Sequence, residues 1–270
     1  MHFEQQKFDF DSYKTMVFSR DGGILNATFN TPEKLNALSG AGEFEAARFF
    51  YEVTTDEETR VVVLTGAGRA FSAGGDLRHI RYIIDHPHEF YKGLENAKRM
   101  INNILGCPKP IIAKVNGPAA GLGATIALMC DVVFASTEAT FADPHARVGF
   151  TAGDGGAIIW PHLIGGLAKH YLMTGDAISA TDAERLGMIL RAVPPEELDA
   201  VVQKYANRLA TGPRRAIETS KMTVNIVLKT LAAQLMDAGI AYEALTNYSD
   251  DHKEAVDAFL EKRKPAFTGN

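Results

Sequence analysis

Cysteine, tryptophan and positive charge are all scarce in this chain. Its 270 residues include two cysteines and one tryptophan, and 28 Lys and Arg stand against 33 Asp and Glu, giving a net charge of −5. Cys107 and Cys130 do not form a CxxC motif, so we expect two reduced thiols rather than a disulfide framework. The acidic balance argues against general nucleic-acid binding. The sequence contains no HExxH motif and no Cys/His spacing typical of zinc, so no metal site is predicted.

Long apolar runs are missing as well. The uncharged segment 115–130 is interrupted by Gly, Asn and Pro and is too short to span a bilayer as one apolar helix. The first 14 residues carry acidic side chains and no continuous apolar stretch, unlike a signal peptide. We therefore expect a cytoplasmic protein that does not enter a membrane. With 24 Gly and 11 Pro, the composition is typical of a globular chain that can bury its own core.

Short apolar stretches predict β-strands in the first half of the chain. Residues 15–19 and 24–30 indicate two strands that are joined by the turn sequence Asp21-Gly22-Gly23. A wholly apolar run, typical of a strand buried on both faces, follows at residues 61–64, and residues 111–115 and 132–135 repeat this pattern. Helical or loop segments precede these runs. This alternation predicts an α/β fold in which helices pack over a sheet.

Helical periodicity occurs once early in the chain and dominates its second half. Helices are predicted at residues 43–53, 156–164, 167–173, 181–186, 195–209, 214–247 and 251–264. In the first of these, Phe44, Ala47 and Tyr51 share one face, which we expect to be buried. In the fourth, Thr181 and Glu184 have the spacing of a capping box, which makes Thr181 the expected N-cap. The boundary between an α/β core and a helical region is predicted near residue 210.

Two glycine-rich segments each follow a predicted strand, at residues 66–77 and 116–124. Small residues at the end of a strand allow backbone N–H groups to approach a ligand, although a pair of tight turns would show the same pattern. Gly66-x-Gly68 and Gly121-x-Gly123 both lack the third small residue of a dinucleotide-binding motif. Two separate loops, each with a free N–H, would suit an oxyanion hole, which stabilises negative charge on a carbonyl oxygen.

The same segments resemble a known family. Residues 70–77 (AFSAGGDL) and 115–123 (VNGPAAGLG) are similar to the two oxyanion-hole segments of the crotonase, or enoyl-CoA hydratase/isomerase, superfamily. Further similar segments follow in the same order, at residues 31–38, 130–133 and 258–264. The resemblance implies an α/β fold, a crotonase-like spiral of ββα units over residues 1–210. It also implies a C-terminal helical region, residues 211–270, that builds homotrimers or homohexamers.

The resemblance further implies which residues bind the substrate. The oxyanion donors would be the N–H groups of Gly75 and Leu122, and the substrate would be an acyl-CoA thioester. Coenzyme A would thus be part of the substrate, with no permanently bound cofactor. Residues matching the family's CoA contacts are Lys34, Leu35, Ala73, Asp76, Leu77, Phe259 and Lys262. In the family, the last two commonly come from a neighbouring subunit.

The acid and base residues depart from the family pattern. Typical hydratases carry two carboxylates, at positions that Thr125 and His145 occupy here, and threonine cannot serve as a useful base at neutral pH. Asp154, among glycines before an apolar helix, is where some relatives place a working aspartate. Burial would raise its pKa and suit it to proton transfer, whereas its alternative role is an N-cap of that helix. His145 could pair with Asp154 or simply form a loop hydrogen bond.

A local similarity leaves a second function open. Residues 148–165 resemble 6-oxocamphor hydrolase, a crotonase relative that cleaves cyclic β-diketones without CoA, and Glu243 matches that enzyme as well. The histidine of its second glycine loop is absent here, and for Glu243 we expect a solvated or salt-bridged position on a helix face. We therefore predict an acyl-CoA enzyme using Asp154 and His145. The alternatives are a β-diketone hydrolase and a CoA-binding protein with little catalysis.

Overall fold

The structure is a computed structural model that describes residues 8–270, apart from the side chains of Pro87 and Tyr91. The prediction that the first 14 residues are not a signal peptide concerns in part residues 1–7, which lie outside the described residues. The strands are β1 (Met16–Asp21), β2 (Ile24–Phe29), β3 (Val61–Gly66), β4 (Ile111–Val115), β5 (Ala119–Ala120), β6 (Val132–Ser136), β7 (Thr140–Ala142), β8 (Ala177–Ser179) and β9 (Arg191–Val193). The helices are α1 (Gly40–Thr55), α2 (Leu77–Asp85), α3 (Pro87–Gly106), α4 (Leu122–Met129), α5 (Gly156–Ile164), α6 (Ala168–Thr174), α7 (Ala180–Arg185), α8 (Pro195–Ala210), α9 (Arg214–Asn247) and α10 (Asp250–Leu260).

A six-stranded sheet in the order β1-β2-β3-β4-β6-β9 forms the centre of the described chain. β1 and β2 are antiparallel, and every later pairing in this sheet is parallel. The predicted hairpin is confirmed, and its turn uses Gly22 at φ +56°. A smaller sheet, β5-β7-β8, lies beside the ends of the parallel strands.

Both faces of the main sheet are covered, as the apolar runs predict. Val62 and Leu64 of β3 pack into the core formed with α1 and α3, whereas Val61 and Val63 pack on the opposite side against α8. A residue on a strand points to the face opposite its neighbours, so a strand covered on both faces is apolar throughout. The predicted α/β arrangement is therefore present.

The buried face of α1 differs from the prediction. Of the predicted face, Ala47 is buried, but Phe44 and Tyr51 are 50% and 65% exposed, whereas Ala46, Phe49 and Phe50 are fully buried. Residues 46, 49, 50 and 53 follow the i, i+3, i+4, i+7 spacing of one helix face. This longer stripe lies on the core, and it turns the two aromatic residues outward.

Several helix ends differ from the prediction, and those of α7 and α10 show why. Ser179, not Thr181, is the N-cap of α7, because its Oγ accepts the N–H of Asp182 at 3.1 Å. The last helix ends at Leu260 rather than at residue 264, and Lys262 adopts φ +58° just beyond it. The helices predicted at 156–164 and 214–247 have the expected bounds. The division into residues 1–210 and 211–270 stays a prediction.

The longest helix of the described chain, α9, has apolar residues on its exposed side as well as on the side that faces the core. An 18-residue window of α9 has a mean hydropathy of 1.2 and is 28% buried, so by length and composition it could cross a membrane. Its residues Ala232, Met236 and Ile240 nevertheless pack into the core of the chain. Such a helix is weak evidence for a membrane span, because the core helices of soluble proteins share these properties.

Candidate active site

The carboxyl ends of β3 and β4 bring the two glycine-rich loops together. These strands are adjacent and parallel, so both loops leave the same edge of the sheet. The N–H of Phe71 donates to the carbonyl oxygen of Pro118 at 3.1 Å, and the N–H of Ala120 donates to that of Ser72 at 2.9 Å. At Gly74, φ is +80°, and an added Cβ would lie 2.4 Å from the carbonyl oxygen of Ala120. This close approach requires glycine.

Two backbone N–H groups remain free where the loops meet. Leu38 donates to the carbonyl oxygen of Gly74 and accepts from the N–H of Asp76, so the N–H of Gly75 between them points to the opposite side. Leu122 is the first residue of α4, where N–H groups have no partner within the helix. Within residues 8–270, neither of these two N–H groups has an acceptor. A Cβ built on Gly74 would lie 3.3 Å from the nitrogen of Leu122, which shows how closely the loops approach.

Gly75 and Leu122 line a cavity of about 980 Å³. The first turns of α1 and α2, the middle of α3, the turn after β7 and the two last helices surround it. All of the predicted site residues except Leu35 form part of its walls: Lys34, Ala73, Gly75, Asp76, Leu77, Leu122, His145, Asp154, Phe259 and Lys262. Residues that are far apart in the sequence are therefore brought to one place.

Leu35 lies behind the wall and supports it. It adopts φ +54°, and its carbonyl oxygen accepts the N–H of Ala73 at 2.9 Å, which fixes the start of the first glycine loop. Beside it, the ammonium of Lys34 lies 3.6 Å from the carboxylate of Asp76. Asp76 also caps α2 by accepting the N–H of Arg78 at 2.9 Å. Leu35 therefore acts on the cavity through the backbone.

The C-terminal residues Phe259 and Lys262 reach the cavity within the same chain. The resemblance to the family makes a neighbouring subunit the usual source of these contacts, whereas here α10 folds back over its own cavity. The guanidinium of Arg81 on α2 forms an ion pair with Asp257 on α10, at 2.5 Å. One chain therefore supplies both sides of the cavity mouth.

His145 lies between two aspartates on the inner wall. Its Nδ1 hydrogen-bonds to Asp143, which is fully buried, and its Nε2 lies 3.6 Å from the carboxylate of Asp154. The ring also stacks on Phe150, with 5.8 Å between ring centres. A Cβ built on Gly121 would lie 3.6 Å from Cε1 of His145, so the imidazole is next to the second glycine loop. The pairing of His145 with Asp154 is thus present.

Burial and charge change the acidity of both groups. Burial lowers the pKa of His145, but the carboxylates of Asp143 and Asp154 outweigh it and raise the pKa to about 10. Burial raises the pKa of Asp154, as does the charge of Asp143, while the imidazolium of His145 acts in the opposite direction. At neutral pH we therefore expect a positively charged imidazole, and the carboxyl group beside it binds a proton more tightly than an exposed aspartate does.

Asp154 is not the N-cap of the helix that follows it. Gly155 occupies that position at φ +111°, and no side chain caps α5, although the N–H of Gly156 favours the ionised carboxylate. Oδ1 of Asp154 has no hydrogen-bond partner in the described structure, and the residue is only 7% exposed. Thr125 is fully buried, and its methyl group lies 2.9 Å from where Gly155 would carry a Cβ. At the inner wall, Asp154 and not Thr125 therefore lines the cavity.

The solvated position expected for Glu243 is wrong. Glu243 is 8% exposed, lines the cavity and has no hydrogen-bond partner for Oε2 within residues 8–270. Burial raises its pKa well above the ordinary value, and the charge of Asp154 acts in the same direction. Its neighbours Tyr242 and Leu245 are exposed, so the usual rule that polar residues face solvent is reversed on this part of α9.

The sequence did not predict three further polar residues near the site: Glu43, Asp143 and Asn247. Burial, helped by the charge of Asp154, raises the pKa of Glu43 to about 7. Asn247 is 3% exposed and lies one helical turn beyond Glu243. A signal was present for Asn247, because Met236, Ile240, Glu243 and Asn247 follow a spacing of four, three and four residues along one face of α9. Asp143 had no comparable signal apart from its closeness to His145.

Comparisons with known proteins identify the family of this chain. The sequence model of the family described as enoyl-CoA hydratase/isomerase matches residues 19–270. The 1,2-epoxyphenylacetyl-CoA isomerase of Escherichia coli is 35% identical over 257 residues, which cover 92% of this chain and 95% of that protein. The crystal structure of an enoyl-CoA hydratase/isomerase from Mycobacterium paratuberculosis matches with a TM-score of 0.87 at 32% identity, covering 91% of this chain and 98% of the other.

A further solved structure bears on the local resemblance. A β-diketone hydrolase from the cyanobacterium Anabaena sp. PCC 7120, bound to (S)-3-oxocyclohexyl acetic acid, matches with a TM-score of 0.83 at 29% identity. The match covers 88% of this chain and 96% of the other. The resemblance to 6-oxocamphor hydrolase is thereby supported, and the expected spiral α/β fold is confirmed. The chain belongs to the enoyl-CoA hydratase/isomerase family of the crotonase superfamily, and it is an enzyme of that family.

Proposed function

We propose that this enzyme moves a proton on an acyl-CoA thioester through an enolate, with the N–H groups of Gly75 and Leu122 holding the thioester oxygen. One observation carries the proposal: a buried carboxyl group with a raised pKa, Asp154, lines the same cavity as two free N–H groups. Preorganised donors of this kind stabilise charge that develops on a carbonyl oxygen. A nearby carboxylate supplies the base.

The chemistry follows from the position of the carboxylate. Asp154 would take a proton from a carbon next to the thioester carbonyl, or from one conjugated with it, and the electron pair of the C–H bond would move onto the thioester oxygen. Return of the proton to a different carbon shifts the double bond, which is an isomerisation. If Asp154 or His145 positions a water molecule instead, the same site would support hydration.

His145 would support the enolate by its charge. Its imidazole lies beside Gly121, next to the Leu122 N–H, and both Asp143 and Asp154 favour the protonated form. A fixed positive charge near the thioester oxygen lowers the energy of an enolate more than that of the neutral thioester, which is the condition for catalysis. The buried Asp143 would act as a positioning residue that holds the ring.

The mouth of the cavity suits the CoA part of the substrate. Lys34, Arg78, Lys262 and Arg263 bring positive charge to it, and Phe259 offers an aromatic surface. Phosphate groups bind well where such side chains converge. We infer that CoA lies here and enters only as part of the substrate, without a permanently bound cofactor or metal ion.

A panel of enoyl- and dienoyl-CoA thioesters, followed by product analysis, tests the proposal. Turnover of at least one thioester with a shifted double bond or an added water molecule is the expected result. Titration calorimetry with acetyl-CoA provides the binding arm. Affinity for acetyl-CoA without turnover of any thioester would favour a CoA-binding protein with little catalysis.

A CoA-independent β-diketone hydrolase is the second candidate. The match to the Anabaena hydrolase and the buried group of His145, Asp154 and Glu243 favour it. Absence of acetyl-CoA binding up to the millimolar range, together with cleavage of a cyclic β-diketone, would replace the first proposal with this one. Affinity for CoA thioesters therefore separates the two candidates.

We also infer a homotrimer or homohexamer that works in the cytoplasm, without nucleic-acid or membrane partners. Exposed apolar residues on α9 support the assembly: Val224, Ile226, Val227, Leu235 and Leu245. An exposed apolar patch of this kind is typical of a subunit interface. Light scattering at micromolar concentration should give a trimer or hexamer, and a monomer alone would contradict this inference.

A further inference from the structure

The inner end of the cavity contains a pair of polar side chains that the proposed proton transfer does not use. Glu243 and Asn247 lie one turn apart on α9, so their side chains are on the same face of the helix. Both line the cavity, and they are 8% and 3% exposed. The apolar Ile240 precedes them along the same face and also lines the cavity.

Each of these side chains has one buried polar atom without a partner in the described structure. Oε2 of Glu243 and Nδ2 of Asn247 are buried, and neither has a hydrogen-bond partner in the described part of the chain. A buried polar atom without a partner is costly, and native proteins retain few of them. Two such atoms on one cavity wall indicate that a bound molecule supplies the missing partner.

We propose that Glu243 and Asn247 form a recognition site for a second carbonyl oxygen in the acyl group, remote from the thioester. The inference rests on the proposed function, since it assigns a substrate class to the same cavity: oxo-acyl-CoA thioesters rather than plain hydrocarbon ones. The amide of Asn247 offers an N–H donor. The carboxyl group of Glu243 can offer a second donor when it is protonated, and a carbonyl oxygen accepts two hydrogen bonds.

The surroundings of Glu243 favour its role as a donor. Burial raises its pKa well above the ordinary value, and the negative charges of Asp154 and Glu43 outweigh the opposing charge of His145, so the surroundings favour the protonated form that can donate a hydrogen bond. A Cβ on Gly153 would lie 2.4 Å from the carbonyl oxygen of Gly239 and 2.5 Å from Oε2 of Glu243, so only glycine fits there. Glu243 therefore packs against the residue that precedes Asp154, and a substrate bound at both ends of the cavity would have its reacting carbons between them.

Matched pairs of saturated thioesters test the site by binding alone. Hexanoyl-CoA and 5-oxohexanoyl-CoA form one pair, and octanoyl-CoA and 7-oxooctanoyl-CoA form the other. Without a double bond they cannot be hydrated or isomerised during titration calorimetry. In the wild-type enzyme we expect the oxo member of at least one pair to bind about tenfold more tightly, the effect of one or two well-formed hydrogen bonds to buried groups.

Three variants assign the preference to the two side chains. Glu243→Leu and Asn247→Leu should reduce the ratio of dissociation constants to about one while leaving hexanoyl-CoA affinity unchanged or improved. Glu243→Gln keeps an N–H donor of similar shape and should retain the preference. The ratio within a pair is insensitive to a general loss of folded protein, and circular dichroism checks the fold of each variant.

Each result decides the matter. Equal affinities within both pairs in the wild type would overturn the recognition site but not the proposed function. A preference that persists in both leucine variants would also overturn it. If neither hexanoyl-CoA nor octanoyl-CoA binds, the proposed function fails and the recognition site fails with it. Should a leucine variant not fold, the wild-type ratios and the Glu243→Gln variant still give the answer.

Discussion

Replacing Glu43 with glutamine should stabilise the protein, and only above a certain pH. Glu43 is half-buried in the first turn of α1, and burial together with the charge of Asp154 raises its pKa from the ordinary 4.5 to about 7. The folded chain thus binds this proton more tightly than the unfolded chain does, so stability falls as the pH rises from 4.5 to 7. The shift corresponds to about 3 kcal/mol above pH 7, as an upper limit.

Glu43→Gln removes the titrating group, so the variant does not lose stability at this position as the pH rises. We expect the variant to gain about 1–3 kcal/mol in the free energy of unfolding at pH 8, but less than about 1 kcal/mol at pH 5. Urea unfolding of both proteins at the two pH values measures the difference. Because the same cavity is proposed to hold substrate, stability rather than activity is the appropriate observable.

Glu45→Gln on the same helix is a matched control with the opposite sign. Burial raises the pKa of Glu45, but hydrogen bonds from Thr15 and Lys14 outweigh it and lower the pKa below its ordinary value. Its contribution to stability is therefore present at neutral pH and is lost as the pH falls. Glu45→Gln should destabilise the protein at pH 8. If both variants shift stability in the same direction, or if the effect of Glu43→Gln is equal at pH 5 and pH 8, the reasoning from burial is wrong.

Two further changes test the inner wall and the loops. Asp143→Asn should lower the pKa of His145 from about 10 towards its ordinary 6.5, because a buried carboxylate partner is lost; an NMR titration of the imidazole that shows no change would contradict the assigned pairing. Gly123→Ala should destabilise by about 1–3 kcal/mol or more by overpacking, since its Cβ would lie 2.5 Å from the carbonyl oxygen of Ser72. Gly106→Ala, where no atom lies within 4 Å, is the control and should leave the urea midpoint nearly unchanged.

The sequence predicts the glycine loops well because their chemistry is local. At Gly74 and Gly123 any side chain would collide with the opposite loop. The positions of these glycines in the sequence therefore indicate where the two loops touch. The apolar runs at residues 61–64 of β3 and 111–113 of β4 likewise indicate strands that are buried on two faces. Such features predict the fold and place the free N–H groups of Gly75 and Leu122 on one edge of the sheet.

The inner end of the cavity is harder to predict because it depends on packing between distant helices. Glu243 and Asn247 are polar residues on a helix that exposes Tyr242 and Leu245, so composition alone assigns them to solvent. Their burial depends on the way α9 packs against α3 and α5. This packing buries the carboxyl group of Glu243, and the burial raises its pKa.

The central claim is that Asp154 transfers the proton, and the turnover of Asp154→Asn tests it most directly. Asparagine keeps the shape of the side chain but cannot take up a proton, so we expect turnover to fall by about 10²–10⁴-fold. Affinity for the substrate should change little. The control is Thr125→Ala, which should cost far less, because Thr125 carries no ionisable group.

The measurement is the turnover rate of both variants on whichever thioester the panel identifies, together with the dissociation constant of a saturated analogue. A large loss of turnover in Asp154→Asn, with unchanged binding and a nearly normal Thr125→Ala enzyme, is the predicted result. Near-wild-type turnover in Asp154→Asn would contradict the claim. The role of proton transfer would then belong to His145 or to another group of the cavity.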